Sequence, residues 1–413
     1  MTQSDYDVIV IGAGAAGMAA TNDLVARGRS VICIEAGART GGRIHTDTTH
    51  FGVPFDIGAH WLHNRHVNPF VEIGQAFGFS LYPAPEDIGI TQGDDPEGTA
   101  LWATADEMNK ALHRAGRKGL DIAASEIIDM SHPWAATALM MHALPMGRDM
   151  YQVSTRDWYD GLNGENWFCR EGFGTVFARY HANTPVTLGT AATKVTTTTH
   201  GVTVETSAGP LSAKAAIVTV SQGVLAAEAI NFDPPLDKKH LRAIDGITLG
   251  DYNHIALQFD PGTLPVPDDC WVTYKVNAVK NGSVQGGGFL CNTAGAGLTY
   301  FETAGQFSRD LQEAGQDAAV DFALGKLAGI FGADIRRAFV KGCSTAWGLD
   351  PLFRGSYSGA LPGQAHTRKA LRKPHAERVF FAGEATHLSE QATVSGAHKE
   401  GLRAARKALK LLR

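Results

Sequence analysis

The sequence predicts an α/β fold in which strand–glycine turn–helix units at both ends of the chain form one domain from separated segments. A mixed sheet-and-helix (α+β) domain is inserted between those segments. Three observations predict it. The chain opens on a buried strand, a glycine-rich turn and an alanine-rich helix. It closes on another strand, glycine turn and helix. Its 413 residues are also more than one simple core organises, so two domains are the default.

The elements follow in order. Asp7-Val-Ile-Val-Ile11 is a buried-strand run, Ala15 to Arg27 is a helix closed by Gly28, and Ser30-Val-Ile-Cys-Ile34 is a second buried strand. Together they make a βαβ unit. From residue 85 to 160 the chain carries polar loops, with helices expected over Thr104 to Arg117 and Ala135 to Leu144. Val186 to Thr219 returns to β character, rich in Thr and Val, with hairpin breaks at His200-Gly201 and Ala208-Gly-Pro210. Ile255 to Phe259 reads as a strand and Asp317 to Phe331 as a helix. The chain ends with strand Val379-Phe-Phe-Ala382, turn Gly383-Glu384 and helix Val394 to Leu412. The expected division gives residues 1–75, 176–250 and 345–413 to the nucleotide domain, and 76–175 and 251–344 to the substrate domain.

Composition narrows the function classes. Hydrophobic residues at 44% and charged residues at 19% are ordinary for a packed, soluble protein. A net charge of −5 argues against a nucleic-acid surface. The five cysteines (Cys33, Cys169, Cys270, Cys291, Cys343) contain no CxxC pair, so neither a disulfide framework nor a zinc or other metal site is expected. The run Val8 to Ile11 is too short to span a membrane, and no signal-peptide pattern precedes it. The expectation is a cytoplasmic protein without a membrane or nucleic-acid partner.

Gly12-Ala-Gly-Ala-Ala-Gly17 fits GxGxxG between strand and helix. Glycines are needed there because a pyrophosphate must approach the backbone N–H groups at the helix start, where the helix dipole favours negative charge. Glu35 stands eighteen residues after Gly17, where a carboxylate accepts hydrogen bonds from a ribose diol. Strand, turn, helix and acid in register make this a Rossmann-like dinucleotide site, open to NAD or FAD. Arg39-Thr-Gly-Gly-Arg43 supplies two cations for a phosphate or a flavin edge.

With these blocks the chain resembles the flavin-containing amine oxidase family. Phe55-Asp-Ile-Gly-Ala-His-Trp-Leu-His63 is similar to the segment that passes the flavin in polyamine oxidases. Trp347-Gly-Leu-Asp-Pro351, Arg354-Gly-Ser-Tyr-Ser358, Pro362-Gly363, Phe381-Ala-Gly-Glu-Ala-Thr-His387 and Ala392-Thr-Val-Ser-Gly-Ala-His398 follow the family order. So does Val218-Thr-Val-Ser-Gln-Gly-Val-Leu225 before Phe232-Asp-Pro-Pro-Leu236, although family members often carry Pro where Ser221 stands. These blocks span nearly the whole chain.

The resemblance implies that FAD is held by Gly12, Gly14, Ala16, Gly17, Glu35, Ala36, Arg39, Gly42, Arg43, Gly58, Ala59, His60, Trp61, Ala192, Trp347, Gly383, Glu384, Ala392, Thr393 and Val394. Glu384 is placed like the ribityl-binding acid. The N–H groups of Thr393 and Val394 open the last helix toward the N1/C2=O edge, where reduction leaves negative charge. Covalent members carry a Cys near the Tyr-Ser-Gly stretch; Tyr357-Ser-Gly-Ala360 has none, so non-covalent FAD is expected. The basic residues Arg403, Arg406, Lys407, Lys410 and Arg413 read as a solvated helix face.

The implied reaction moves a hydride equivalent from the carbon beside an amine nitrogen to flavin N5, giving an imine that hydrolyses to a carbonyl. Oxygen is the usual acceptor, and hydrogen peroxide its product. Trp61, His63 and Tyr357 are the pocket candidates, with Trp347 as a further aromatic wall. Glu171 and Glu302 are candidate partners for a polyamine's distal charge. One position departs from the family: the lysine of its Lys-Ile-x-Leu-x-Phe strand is His254 in His254-Ile-Ala-Leu-Gln-Phe259. An imidazole is shorter, and its charge can change near neutral pH. The leading reading is therefore an amine oxidase of polyamine oxidase style. The alternative is a dehydrogenase or desaturase of the same fold with another substrate or acceptor, and a non-catalytic flavoprotein is third.

Overall fold

The computed structural model describes residues 5–85, 89–92, 95, 97–276, 279–280 and 282–412. The apolar runs at the two ends of the chain meet in one seven-stranded sheet. Strand Tyr6–Ile11 lies parallel between Val31–Ile34 and Gly209–Val218, with Ile9 opposite Ile32 on one side and Ala216 on the other. Strand Val379–Phe381 extends the parallel set, placing Phe380 opposite Ile217. Parallel strands are covered on both faces, which is why they read as continuous apolar runs. Val8, Ile9 and Val10 are all fully buried.

The long strand Gly209–Val218 serves two pairings. Its first half runs antiparallel to Val202–Thr206, which leads on to Ala192–Thr197 and Asn231–Asp233. The His200-Gly201 break is a turn in which Thr198 N donates to Gly201 O. The second break falls at Ser207 and Ala208, earlier than expected. Thr206 Oγ1 donates to Gly209 O and accepts from Ala208 N, so Gly209 and Pro210 already belong to the strand.

Helix Ala15–Ala26 and the final helix Val394–Leu411 pack closely. A Cβ on Gly401 would stand 2.1 Å from the Ala16 carbonyl oxygen, so a larger residue would push them apart. This contact joins the two ends of the chain beside the glycine turn.

The second sheet has six strands in the order Phe339–Ser344, Tyr252–Phe259, Leu298–Ala304, Gly287–Thr293, Cys270–Tyr274 and Gly89–Gln92. Side chains alternate along each strand. Ile255, Leu257 and Phe259 pack with Leu324 and Leu327 of helix Gln316–Phe331. Ala256, Leu290 and Tyr300 face the other way, onto Phe51, Phe55 and Phe168. Tyr252 and His254 lie on this second face by the same period.

Helix Thr99–Arg117 begins earlier than expected, directly after the left-handed Gly98. Helix Ala135–Ala143 gives way to the tighter turn Leu144–Met146, where Pro145 lacks the N–H that an α-helix requires. None of the five cysteines forms a disulfide among the described residues. Among the described residues, no helix is long and apolar enough to cross a membrane, and no group of His, Cys, Asp and Glu could hold a metal ion.

Candidate active site

One cavity of about 880 Å³ runs from the glycine turn to the second sheet. At its nucleotide end the glycines have different duties. Gly12 has a positive φ of 100°, and a Cβ there would meet Thr219 Oγ1 at 2.7 Å. A Cβ on Gly17 would stand 1.8 Å from Gly12 O, so helix and turn touch only because it is absent. Gly14 caps the helix without any side-chain hydrogen bond, leaving the first N–H groups available to an anion. Glu35 is fixed by its backbone neighbours: Oε2 accepts from Ala13 N at 2.7 Å and Oε1 from Gly37 N at 2.8 Å. Its remaining lone pairs can take a ribose diol.

The far side of this cradle comes from the end of the chain. Arg43 Nη1 pairs with Glu384 Oε1 at 3.0 Å and also donates to the Ser356 carbonyl. Glu384 Oε2 accepts from Ser358 Oγ at 2.6 Å and Ala392 N at 2.9 Å. Thr393 caps the last helix by accepting from Gly396 N, so the helix start lies at the cavity wall with its dipole directed there. The donor set suits an anionic dinucleotide: two helix N-termini, a glycine turn and a diol-binding carboxylate.

Of the residues named from sequence, Gly12, Gly14, Ala16, Glu35, Ala36, Gly42, Arg43, Gly58, Ala59, His60, Trp61, Ala192, Trp347, Gly383, Glu384, Ala392, Thr393 and Val394 line the cavity, with His63, His254 and Tyr357. Gly17 and Arg39 do not line it. Gly17 is spent on packing against the turn, and Arg39 donates to the Thr40 carbonyl.

The opposite end is aromatic. Trp61 stacks parallel to His63, with ring centroids 6.1 Å apart, and leans on Phe168 at 4.6 Å. His63 Nδ1 bonds Asn166 Oδ1 at 3.0 Å, and burial lowers its pKa. The Tyr357 hydroxyl donates to Leu144 O, so the protein itself occupies its proton while its ring lines the cavity.

His254 is 2% exposed and stacks on Tyr300 at 4.8 Å. Its Nδ1–H donates to the Asp56 carbonyl at 3.1 Å, which leaves Nε2 as an acceptor. Nε2 stands 3.4 Å from Tyr252 Oη and 3.8 Å from Glu302 Oε1. Burial pulls the imidazole down to about 4, so it stays neutral at neutral pH instead of changing charge there. Glu302 is the group that burial brings near neutrality, pushed up to about 7.

The two acidic candidates separate. Glu171, in the turn after strand Trp167–Cys169, accepts from Ser80 N and Oγ and lies outside the cavity lining. Glu302 is buried in the wall beside His254, its register partner on the neighbouring strand. The last helix also departs from a uniformly solvated face. Arg403 bonds Glu400 and the Phe381 carbonyl of the sheet, and Lys407 bonds the Arg372 carbonyl at the end of the short helix Ala365–Arg372; Arg406 and Lys410 are exposed. Arg413 lies outside the described residues.

Sequence reasoning gave no role to Asp56, whose Oδ2 accepts from His60 Nδ1 at 3.0 Å and from Phe173 N at 3.1 Å. It also missed Trp271 in the wall. The available signal for Asp56 was an acid set among apolar residues in the block Phe55-Asp-Ile-Gly-Ala-His-Trp-Leu-His63.

Comparison with known proteins agrees with this geometry. The sequence model of the family described as flavin containing amine oxidoreductase matches residues 138–409. That of the NAD(P)-binding Rossmann-like domain matches residues 10–72. Polyamine oxidase 4 of Oryza sativa subsp. japonica is 27% identical over 97% of this chain and 88% of its own length. Polyamine oxidase 2 of Arabidopsis thaliana is 28% identical over 96% and 87%. Lysine-specific histone demethylase 1 homolog 2 of Oryza sativa subsp. japonica is 26% identical over 97% of this chain and 57% of its own. Among solved structures, putrescine oxidase bound to putrescine shares the fold with a TM-score of 0.80 at 18% identity, covering 98% of this chain and 99% of that one. Cyclohexylamine oxidase from Brevibacterium oxydans does so with 0.76 at 20%, covering 99% and 100%. The chain belongs to the flavin-containing amine oxidoreductase family, as an FAD-dependent enzyme of the amine oxidase type.

Proposed function

We propose that the enzyme oxidises a polyamine or another primary or secondary amine at the carbon beside nitrogen, with oxygen as acceptor and hydrogen peroxide as product. The observation that carries this reading is the cavity joining the dinucleotide cradle to a buried wall of aromatic rings, imidazoles and the Glu302 carboxyl. Bound in the cradle, FAD supplies hydride acceptance at N5. Gly12, Gly14, Glu35, Arg43, Glu384 and the Thr393 helix start hold it, and no cysteine lines the cavity among the described residues, which supports non-covalent binding.

The protein's own part is to orient the reacting C–H bond and keep the amine neutral. Trp61, His63 and Tyr357 form apolar walls that displace water, and a desolvated amine loses its proton more readily. The imine then hydrolyses to a carbonyl. Under this reading, His254 holds the position of the family lysine.

His254 also favours a second reading, in which the reduced enzyme passes electrons to an acceptor other than oxygen. A neutral imidazole offers no fixed positive charge where a lysine would. Anaerobic reduction by an amine followed by admission of air tests both. Loss of flavin colour supports amine oxidation, and the rate of recovery in air decides between acceptors.

A further inference from the structure

The buried wall contains a carboxyl with no cation to pair with. Glu302 is 3% exposed, and its Oε1 has no hydrogen-bond partner among the described residues. Its register partner across one strand is His254, and across the other Gly288, which has no side chain to cover it. The Trp271 ring fills the space above Gly288, where a Cβ would meet it at 2.1 Å.

The groups that face Glu302 are Tyr252 and His254 from one strand, His60 and Trp61 from the segment after Asp56, and Tyr357. None carries a permanent positive charge. His254 Nε2 is an acceptor because Nδ1–H is committed to the Asp56 carbonyl. His60 is held the same way by the Asp56 carboxylate, and its Nε2 is buried without a partner. The His254 acceptor nitrogen suits the protonated Glu302 carboxyl, which has a hydrogen to donate, while Tyr252 and Trp61 hydrogen-bond its ionised form, so the site accommodates both.

We propose that Glu302 is the catalytic residue that takes the proton from the incoming ammonium, delivering the amine in its neutral, oxidisable form. This rests on the reading of the cavity as an amine site. In the step, the N–H bond of R–NH3+ breaks and its electron pair stays on nitrogen. The proton forms an O–H bond on Glu302, leaving R–NH2 beside a neutral carboxylic acid. No oxidant or reductant takes part. The ammonium enters attracted to a carboxylate, and both charges vanish inside a pocket that stabilises neither. A carboxyl pushed up to about 7 by burial is matched to this exchange better than an exposed one. It meets the nitrogen that reacts, not a distal charge, because it stands beside His254.

Calorimetry with tert-butylamine tests the step without turnover, since this amine has no hydrogen on its α carbon. Protons released on binding are obtained from buffers of different ionisation heat. Above pH about 8 the wild-type holoenzyme should release almost none, because the proton stays on Glu302, whereas below pH about 6 it should release about one per amine bound. Glu302→Gln should release about one at both, and Glu302→Asp should restore the low value. A release of about one proton from wild type at both pH values overturns the proposal. Equal release by wild type and Glu302→Gln above pH about 8, or no binding of so small an amine, does the same. The wild-type series stands alone if Glu302→Gln loses its flavin. Bleaching by an oxidisable amine reads the amine-oxidation assignment separately, so the two can fail independently.

Discussion

Arg43 and Glu384, 341 positions apart in the chain, form a 3.0 Å ion pair in the wall of the cavity. The pair links the segment after the glycine turn to the turn before the last helix. Glu384 is almost completely buried, so its charge depends on Arg43 and on donors from Ser358 and Ala392.

Removing the cation should therefore cost more than an exposed salt bridge would. Arg43→Ala is expected to lower stability by about 2 to 4 kcal/mol, with Arg43→Lys milder. It should also weaken FAD binding. Thermal unfolding and flavin retained after ultrafiltration measure the two effects.

The glycine turn has a steeper response. In Gly17→Ala the new Cβ would stand 1.8 Å from the Gly12 carbonyl, and that neighbour is backbone. Helix Ala15–Ala26 must move away from the turn, at a cost of about 1–3 kcal/mol or more. The variant should purify with little or no yellow colour. Full flavin content would show that this contact does not set the cradle.

Acid should destabilise the fold through two buried imidazoles outside the cavity's polar wall. Burial lowers His181 to about 3 and His398 to about 4. Both bind protons more readily unfolded, near pH 6.5, than folded. Their neutral forms stabilise the fold fully above that pH. The contribution falls by about 1.4 kcal/mol per histidine for each pH unit below about 6.5, until the folded values are reached. His398→Met should flatten the slope of stability against pH between about 4 and 6.5 by about one proton. An unchanged slope in urea titrations would contradict it.

How much of this was legible in the sequence depends on the range of the interaction. The opening βαβ unit was readable because its strands are short apolar runs and its turn is fixed by Gly12, Gly14 and Gly17. Trp61 and His63 were readable from their block. The His254–Glu302 contact was not, because it depends on the register of two strands whose intervening residues supply two more strands of the same sheet. A different pairing, Leu81 opposite Cys169, brings the turn that carries Glu171 to Ser80 and away from the cavity. Arg403 and Lys407 looked solvated because their partners are backbone carbonyls, at Phe381 and Arg372, that sequence does not display.

Position 254 has its own test. In His254→Lys an ammonium would replace a neutral ring beside Glu302, putting a positive charge where the family lysine stands. Reoxidation of the reduced enzyme by oxygen should speed up by about tenfold or more. Stopped-flow absorbance after mixing with air-saturated buffer reads it. An unchanged rate would remove His254 from the oxidative half of the cycle.

Anaerobic titration of the yellow holoenzyme with spermine, spermidine, putrescine and an aromatic monoamine tests the central claim most directly. The account predicts that at least one of them abolishes the flavin absorbance and leaves a carbonyl product in stoichiometric amount. Flavin that stays fully oxidised with every amine would contradict it.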